Sequence, residues 1–212
     1  LVDPVDVDET NMAITIANIT NVFNDEQKIP EMDKYMASKL FAEFETYGGV
    51  ADETVLDVNN ALQVFDQLME QMDEAEVPQE GRLLYVTPAV YTLLKNAEQI
   101  QRQLQVTNNN QVVNRGVRSL DDVTLKRVPS SRMKTVYDFT RGAKEGAGAV
   151  QINMILIHPM AIISPQKYEF VSLDAPSART GGKYLYYERK YWDVFAIERK
   201  VPGMAFNIEP SV

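Results

Sequence analysis

The chain has 212 residues, of which 45% are hydrophobic and 24% are charged, a composition ordinary for a globular protein that buries a core of its own. The absence of cysteine excludes disulfide bonds, thiolate metal sites and cysteine nucleophiles. The longest apolar run is too short to cross a bilayer, and the first residues lack the basic segment of a signal peptide.

The net charge of −9 is distributed unevenly along the sequence. Residues 1–80 contain 19 acids and three lysines, a net charge of −16, whereas residues 81–212 contain 18 bases and 11 acids, a net charge of +7. The bases are dispersed, which argues against a dedicated nucleic-acid surface. The opposite signs favour attraction between surfaces, either within a chain or between copies.

The first predicted elements along the chain are helices. Hydrophobic residues recur at spacings of three and four over residues 12–23 and again over residues 29–44. Pro30 is either a first-turn residue of a new helix or a kink in one long helix. Gly48 and Gly49 end the second stripe. Up to about 40 helical residues with a single apolar stripe predict a long spine in an extended molecule.

An α/β unit follows this predicted spine. Residues 57–76 carry the pattern of another amphipathic helix, and residues 82–86 read as a short buried strand. Thr87 and Pro88 are an N-cap and first-turn pair, which predicts a helix through residue 96. Strand, turn and capped helix together indicate a central sheet flanked by helices.

Strands dominate the remaining sequence. They are predicted at residues 123–128, 152–157, 167–173, 183–196 and 204–208. The glycine-rich residues 141–148 are predicted to be the most flexible part of the chain. Alternate residues of the strand at 183–196 form two partly apolar faces, which need cover on both sides.

No catalytic constellation is recognisable. The sole histidine, His158, precedes Pro159 at the end of an apolar strand, a context more typical of a structural residue than of a base. Ser164 is close in sequence but lies in no nucleophile-elbow pattern. Arg189 and Asp193 are four residues apart on a strand, about 13 Å, which is too far for direct pairing.

Metal and phosphate sites are equally unsupported. Asp121 and Asp122 are candidate cation ligands, but adjacent acids in a loop are usually just solvated. Residues 6–9 lack the glycine and the spacing of a calcium loop. No Lys-Ser or Lys-Thr pair follows the glycines of residues 146–148, so a phosphate loop is not predicted. We therefore expect no catalytic residue, no cofactor and no bound metal.

Four stretches, taken in order, resemble the Hong Kong 97-type major capsid proteins of tailed bacteriophages. Residues 23–35 resemble that family's spine-helix region, and residues 77–88 (VPQEGRLLYVTP) resemble the first strand and helix of its axial domain. Residues 128–132 together with 153–159 resemble later strands of that domain. Residues 188–195 (ERKYWDVF) resemble the return into its peripheral domain. The likeness covers nearly all of the chain.

The resemblance implies an α+β fold with two domains. The spine helix of residues 1–48 and the return strands of residues 166–212 would form a peripheral domain with a β-sheet, and residues 49–165 would form an α/β axial domain. The family's N-terminal arm and extended hairpin have no counterpart here. The resemblance thus leads us to expect a truncated chain that is a monomer or a small ring, dissociating as salt rises.

The implied function is structural, not enzymatic. Copies would associate as pentamers and hexamers in the icosahedral shell of a virion, enclosing double-stranded DNA without sequence-specific binding. Scaffolding and portal proteins are further expected partners, a membrane is not, and assembly would take place in the cytoplasm of the host bacterium.

Two alternatives remain open. An encapsulin-type nanocompartment shell protein has the same fold and would enclose a protein cargo instead of DNA. A soluble α/β enzyme or binding module, whose acidic face recruits a cationic ligand, would be a monomer with a deep pocket.

Overall fold

A computed structural model gives the fold of the chain. The residues that it describes are 1–9, 15–98 and 117–210. They form two compact units. Unit 1 contains Leu1–Met32 and Ser164–Val194, and unit 2 contains Asp33–Ile163 and Phe195–Val212.

Helices and strands alternate irregularly along the chain. The helices are α1 (Pro4–Glu9), α2 (Ile16–Phe23), α3 (Ile29–Thr46), α4 (Ala61–Glu74) and α5 (Pro88–Asn96). The strands are β1 (Leu83–Val86), β2 (Ser119–Leu120), β3 (Val123–Arg127), β4 (Tyr137–Asp138), β5 (Lys144–Glu145), β6 (Ile152–Ile157), β7 (Ile162–Ile163), β8 (Gln166–Asp174), β9 (Leu185–Trp192), β10 (Phe195–Ala196) and β11 (Met204–Ile208). No helix in the described part of the chain is both long and apolar enough to cross a membrane.

The predicted spine is helical from Ile16 to Thr46. Thr15 caps its first turn, because its side-chain oxygen accepts the N–H of Asn18 at 3.2 Å. A π-helical turn joins α2 to α3 directly before Pro30. Proline lacks the N–H donor and crowds the preceding turn, and the wider π turn gives its ring room. The predicted start at residue 12 lies outside the described residues.

Two glycines end α3 as predicted. Gly48 has a positive φ of 84°, and the N–H of Gly49 donates to the carbonyl of Phe44 at 2.8 Å. Such a bond satisfies a carbonyl that the helix itself leaves unpaired. A Cβ on Gly49 would overlap the Phe44 ring, so this position needs glycine for space and Gly48 needs it for conformation.

Unit 1 contains the two long strands, β8 and β9, which form an antiparallel ribbon. Exposure alternates along β9, as the two-faced pattern predicted. The strand ends at Trp192, however, and not at residue 196. The Asp193 carboxylate accepts the N–H of Val194 at 2.7 Å, a local bond that competes with the strand ladder. The next two residues form β10, which pairs with β7 in unit 2.

Unit 2 is built around a five-stranded sheet with strand order β11-β6-β1-β3-β2. β1 and β3 are parallel, and the other neighbours are antiparallel. All six residues of β6 are buried. Side chains of α4, including Phe65 and Met72, pack with Leu84 and Leu156 on one face of the sheet. On the other face the Phe206 ring lies against the rings of Phe41 and Phe44 in α3.

Capping explains where the flanking helices begin. α4 starts at Ala61, later than predicted, because Asp57 and Asn60 bind each other's backbone N–H groups in the preceding turn. Thr87 caps α5 as predicted, accepting the N–H of Val90 at 3.4 Å, and Pro88 occupies the first turn.

The two units do not follow the predicted limits at residues 48 and 166. β11, expected beside the long strands, instead pairs with β6 in the unit 2 sheet. Its five residues are all buried, which suits an apolar strand covered on both faces. The division into peripheral and axial domains stays a prediction.

Candidate functional site

His158 is a buried structural residue. The residue is only 6% exposed, and its side chain caps the short 3₁₀ turn Pro159–Ala161. Nδ1 accepts the N–H of Met160 at 3.1 Å, and Nε2 lies 3.1 Å from the carbonyl oxygen of Glu80. The first bond requires an unprotonated Nδ1, so Nε2 carries the proton and donates to the carbonyl. Both ring nitrogens are thus used in holding two backbone segments together.

The other residues considered from the sequence are also held in local contacts. Ser164 donates to the carbonyl of Asp193 at 3.2 Å. The Arg189 guanidinium lies 5.0 Å from the Tyr191 ring centroid and donates to the Tyr191 hydroxyl. In the β4–β5 hairpin the N–H of Gly146 donates to the carbonyl of Val136 at 3.1 Å. None of these contacts creates a nucleophile, a phosphate cradle or a base.

Asp121 and Asp122 form the turn between β2 and β3, where both have positive φ values of 45° and 64°. Aspartate tolerates this conformation better than most residues. In the described ranges no group of three or more histidine and acidic side chains is arranged to hold a metal ion. Asp6, Asp8 and Glu9 lie in α1.

An acidic surface surrounds that turn. It lines a depression of about 740 Å³ with seven carboxylates: Asp66, Glu70, Asp73, Glu74, Glu80, Asp121 and Asp122. Partial burial, and secondly the charge of Asp121, raises the pKa of the Asp66 carboxyl. The helical part was visible in the sequence, because residues 66, 70, 73 and 74 share one helix face. The fold adds the two turn aspartates.

Arg82 lies beneath the acidic surface and is completely buried. Its guanidinium donates to Asp73 at 2.6 Å and to the carbonyls of Val77 and Pro78 at 2.6 and 3.0 Å. The hydrogen bond from Arg82 lowers the pKa of Asp73. No signal in the sequence marks this arginine, which reads as an ordinary residue at the start of a strand.

A cationic surface lies at the other end of β3. Arg127 stacks on Tyr91 of α5, with the guanidinium 4.7 Å from the ring centroid, and the Tyr91 hydroxyl accepts the N–H of Val117 at 3.0 Å. Arg118 is exposed. It lies beside β3, because its carbonyl accepts the N–H of Leu125. Lys95 lies one turn after Tyr91 on α5. Arg118 and Arg127 form no ion pair with any described residue.

Unit 1 exposes apolar surface on both its helix and its ribbon. On one face of the ribbon Phe170, Tyr187 and Tyr191 are 44%, 47% and 48% exposed. On α2, Val22 and Phe23 are 53% and 55% exposed. Exposed apolar patches of this kind are typical of contact surfaces. The described residues thus offer exposed charged and apolar surfaces as candidate functional features.

Comparisons with known proteins identify the fold. No family model and no curated protein matches the sequence. Among solved structures, the chain is similar to one from Mycobacterium phage Che8, with 13% identity, a TM-score of 0.55 and coverage of 98% of this chain and 67% of that chain. A second is from the capsid of the cyanophage P-SCSP1u, with 12% identity, a TM-score of 0.65 and coverage of 100% and 70%.

A third similar chain comes from the asymmetric unit of the mature capsid of bacteriophage PhiM1, with 12% identity, a TM-score of 0.64 and coverage of 93% and 66%. The present chain thus spans about two thirds of the length of each of these three. These likenesses confirm the predicted α+β fold of the Hong Kong 97 type.

Proposed function

We propose that the chain is a structural major capsid protein, which self-associates into the icosahedral shell that encloses a phage genome. One observation carries this proposal: the fold matches chains of two phage capsids over 100% and 93% of the present chain. Exposed apolar and charged surfaces in both units support it, because a shell subunit must bury such surfaces against its neighbours.

The proposal extends to domains and partners. Residues 1–48 and the β8–β9 ribbon form the peripheral domain, residues 49–165 together with β11 form the axial domain, and copies associate as pentamers and hexamers. The shell encloses double-stranded DNA without sequence-specific binding, and its assembly in the host cytoplasm involves scaffolding and portal proteins. The assembled protein is part of the virion.

The same proposal assigns no catalytic role to any residue. His158, the sole histidine, has both ring nitrogens bound to backbone groups, which leaves neither for a substrate. A general base needs a free acceptor within hydrogen-bond reach of the proton that it takes.

Electron microscopy and light scattering of the purified chain test the proposal. At low ionic strength we expect rings or curved sheets with five- or sixfold subunit symmetry. The sequence alone allowed a monomer as well as a small ring, but the self-association proposed here would be contradicted by a chain that stays monomeric at every concentration and salt level. The nanocompartment alternative is tested by the contents of particles from infected or producing cells, where we expect nuclease-protected DNA and no packaged protein cargo.

A further inference from the structure

We propose that the cationic surface around Tyr91 and Arg127 binds the acidic surface around Asp121 and Asp122 on a second copy of the chain. Copies would then join head to tail through unit 2. This inference rests on the proposed function, and it names the surfaces that would make the contacts within a ring.

The placement of the two surfaces favours a head-to-tail contact. Asp121 and Asp122 immediately precede β3, and Arg127 ends it. Five strand residues span roughly 13 Å from first to last, so the two charges lie at opposite ends of one strand. A twofold contact through either surface would bring like charges together. A head-to-tail contact pairs opposite charges at every step and closes into a ring if the rotation allows.

Among the described residues, Arg82 is the one cation paired with the acidic surface, and it is not exposed to solvent. Arg82 is buried beneath it and pairs with Asp73 alone among the seven carboxylates. The raised pKa of Asp66 reflects, after burial, the repulsion of a second carboxylate in the same depression. A cationic partner would relieve this repulsion. Association is therefore more favourable because the negative charge is already concentrated there.

The cationic surface is already ordered for carboxylate binding. The Arg127 guanidinium lies over the Tyr91 ring, and the hydroxyl of that tyrosine accepts the N–H of Val117. A planar guanidinium offers paired donors that match a carboxylate, and stacking lowers the entropy lost on binding. Arg118 lies on the same face of the sheet as Arg127, because it is opposite Leu125 in the β2–β3 pairing.

Paired charge reversals test the proposal in the full chain. One variant carries Arg118→Glu and Arg127→Glu, and a second carries Glu70→Lys and Asp122→Lys. We expect each variant alone to raise the concentration needed for association about tenfold or more, because it opposes like charges across the contact. Arg179→Glu, an exposed arginine of unit 1, is the matched control and should leave association unchanged. Sedimentation velocity at low salt measures all of them.

Recovery of association by pairing the two charge-reversal variants makes the test specific. Mixing the two variants in equal amounts, or combining all four substitutions in one chain, again pairs opposite charges at the contact and should recover wild-type association. Circular dichroism confirms that each variant is folded. Failure of both restorations overturns the surface assignment, as do variants that associate like the control.

Two further outcomes separate this inference from the proposed function and from nucleic-acid binding. A wild-type chain that never associates contradicts the proposed function as well as the inference, whereas wild-type rings with unaffected variants overturn the inference alone. If the arginine variant associates normally but loses retention of a double-stranded oligonucleotide, the cationic surface serves nucleic acid and the inference is wrong.

Discussion

Arg82 directly precedes β1, and its side chain is buried among backbone carbonyls of residues 77–78, with Asp73 as its acidic partner. A buried cation is tolerated only when its donors are bound, and here the turn between α4 and β1 supplies the acceptors. Nothing in the local sequence marks this role. The partner lies nine residues away on α4, and only the turn at residues 77–81 brings the two side chains together.

Replacing Arg82 tests how much this buried network stabilises unit 2. We expect Arg82→Ala to lower the free energy of unfolding by about 3 kcal/mol, because it leaves two carbonyls without donors and removes packing. Urea denaturation followed by circular dichroism measures the change. Arg199→Ala, at an exposed position, is the control and should change stability by about 0.5 kcal/mol or less. Equal effects of the two substitutions would contradict a structural role for Arg82.

The ion pair between Lys28 and Glu188 in unit 1 gives a pH-dependent prediction. The hydrogen bond from Lys28 lowers the pKa of Glu188 below its ordinary 4.5. A lowered folded-state pKa adds stability above the ordinary value, and this stability is lost as pH falls through the folded-state value. We therefore expect wild type to be more stable than Glu188→Gln near neutral pH and the difference to shrink in acid. A constant difference across pH would contradict the assignment.

Among the elements, the helix that ends at Thr46 shows how far periodicity predicts structure. Its stripe of apolar residues predicted one long helix, but not which residues of the stripe are covered. Phe44 is 4% exposed and its ring centroid lies 4.8 Å from that of Phe206, whereas Phe23 is 55% exposed. Periodicity identifies a face, and the distant strand β11 decides which part of that face is buried.

Phe44 and Phe23 therefore form a matched pair for mutation. We expect Phe44→Asp to cost about 4 kcal/mol of unfolding free energy, because it places a charge in the core and leaves a cavity beside Phe206. Phe23→Asp makes the same chemical change at an exposed position and should cost far less. Thermal and urea denaturation compare the two. Similar losses for both variants would mean that the whole stripe is buried in solution.

The local sequence pattern predicted some features of the strands and missed others. β1, β3, β6 and β11 lie close to their predicted limits, because β1, β6 and β11 are short, mostly apolar runs and β3 begins with the alternating residues Val123, Thr124 and Leu125. The end of β9 was missed, because the bond from the Asp193 side chain to the next N–H outweighs strand propensity there. The location of β11 was also missed, because pairing with β6 joins residues about 50 positions apart in sequence.

The distribution of charge over the molecule could be predicted from the sequence in part, and the rest depends on the fold. The sequence shows an acidic first part and a basic second part, and the spacing of acids on α4 is readable without a structure. The grouping of α4 with the turn at Asp121 depends on sheet order. So does the grouping of Arg127 with Tyr91, which follows from the parallel pairing of β1 and β3.

Association of the chain should weaken as salt rises. The Debye length falls from about 10 Å at 0.1 M to about 3 Å at 1 M, which screens attraction between the exposed charged surfaces. Sedimentation velocity across a salt series measures this dependence. Association that strengthens with salt would instead show that the apolar surfaces of unit 1 dominate the contacts.

The purified protein should also hold no stoichiometric transition metal. It contains one histidine and no cysteine, and the carboxylates of the acidic surface are ligands suited to hard cations rather than zinc or iron. Elemental analysis after dialysis gives the metal content, and melting with and without a chelator gives its effect on stability. One tightly held zinc or iron per chain would contradict this prediction.

The position of β11 at the end of the sheet order sets the timing of folding during synthesis. β6 has one neighbour, β1, that is made before it, while the other neighbour becomes available only when residues 204–208 leave the ribosome. Until then the edge of β6 and the apolar rings of α3 that contact Phe206 lack their native cover. A nascent chain therefore completes the core of unit 2 late. During this interval, nascent chains made on the same messenger RNA would expose unpaired strand edges to one another. Chaperones are suited to suppress the aggregation that such edges favour.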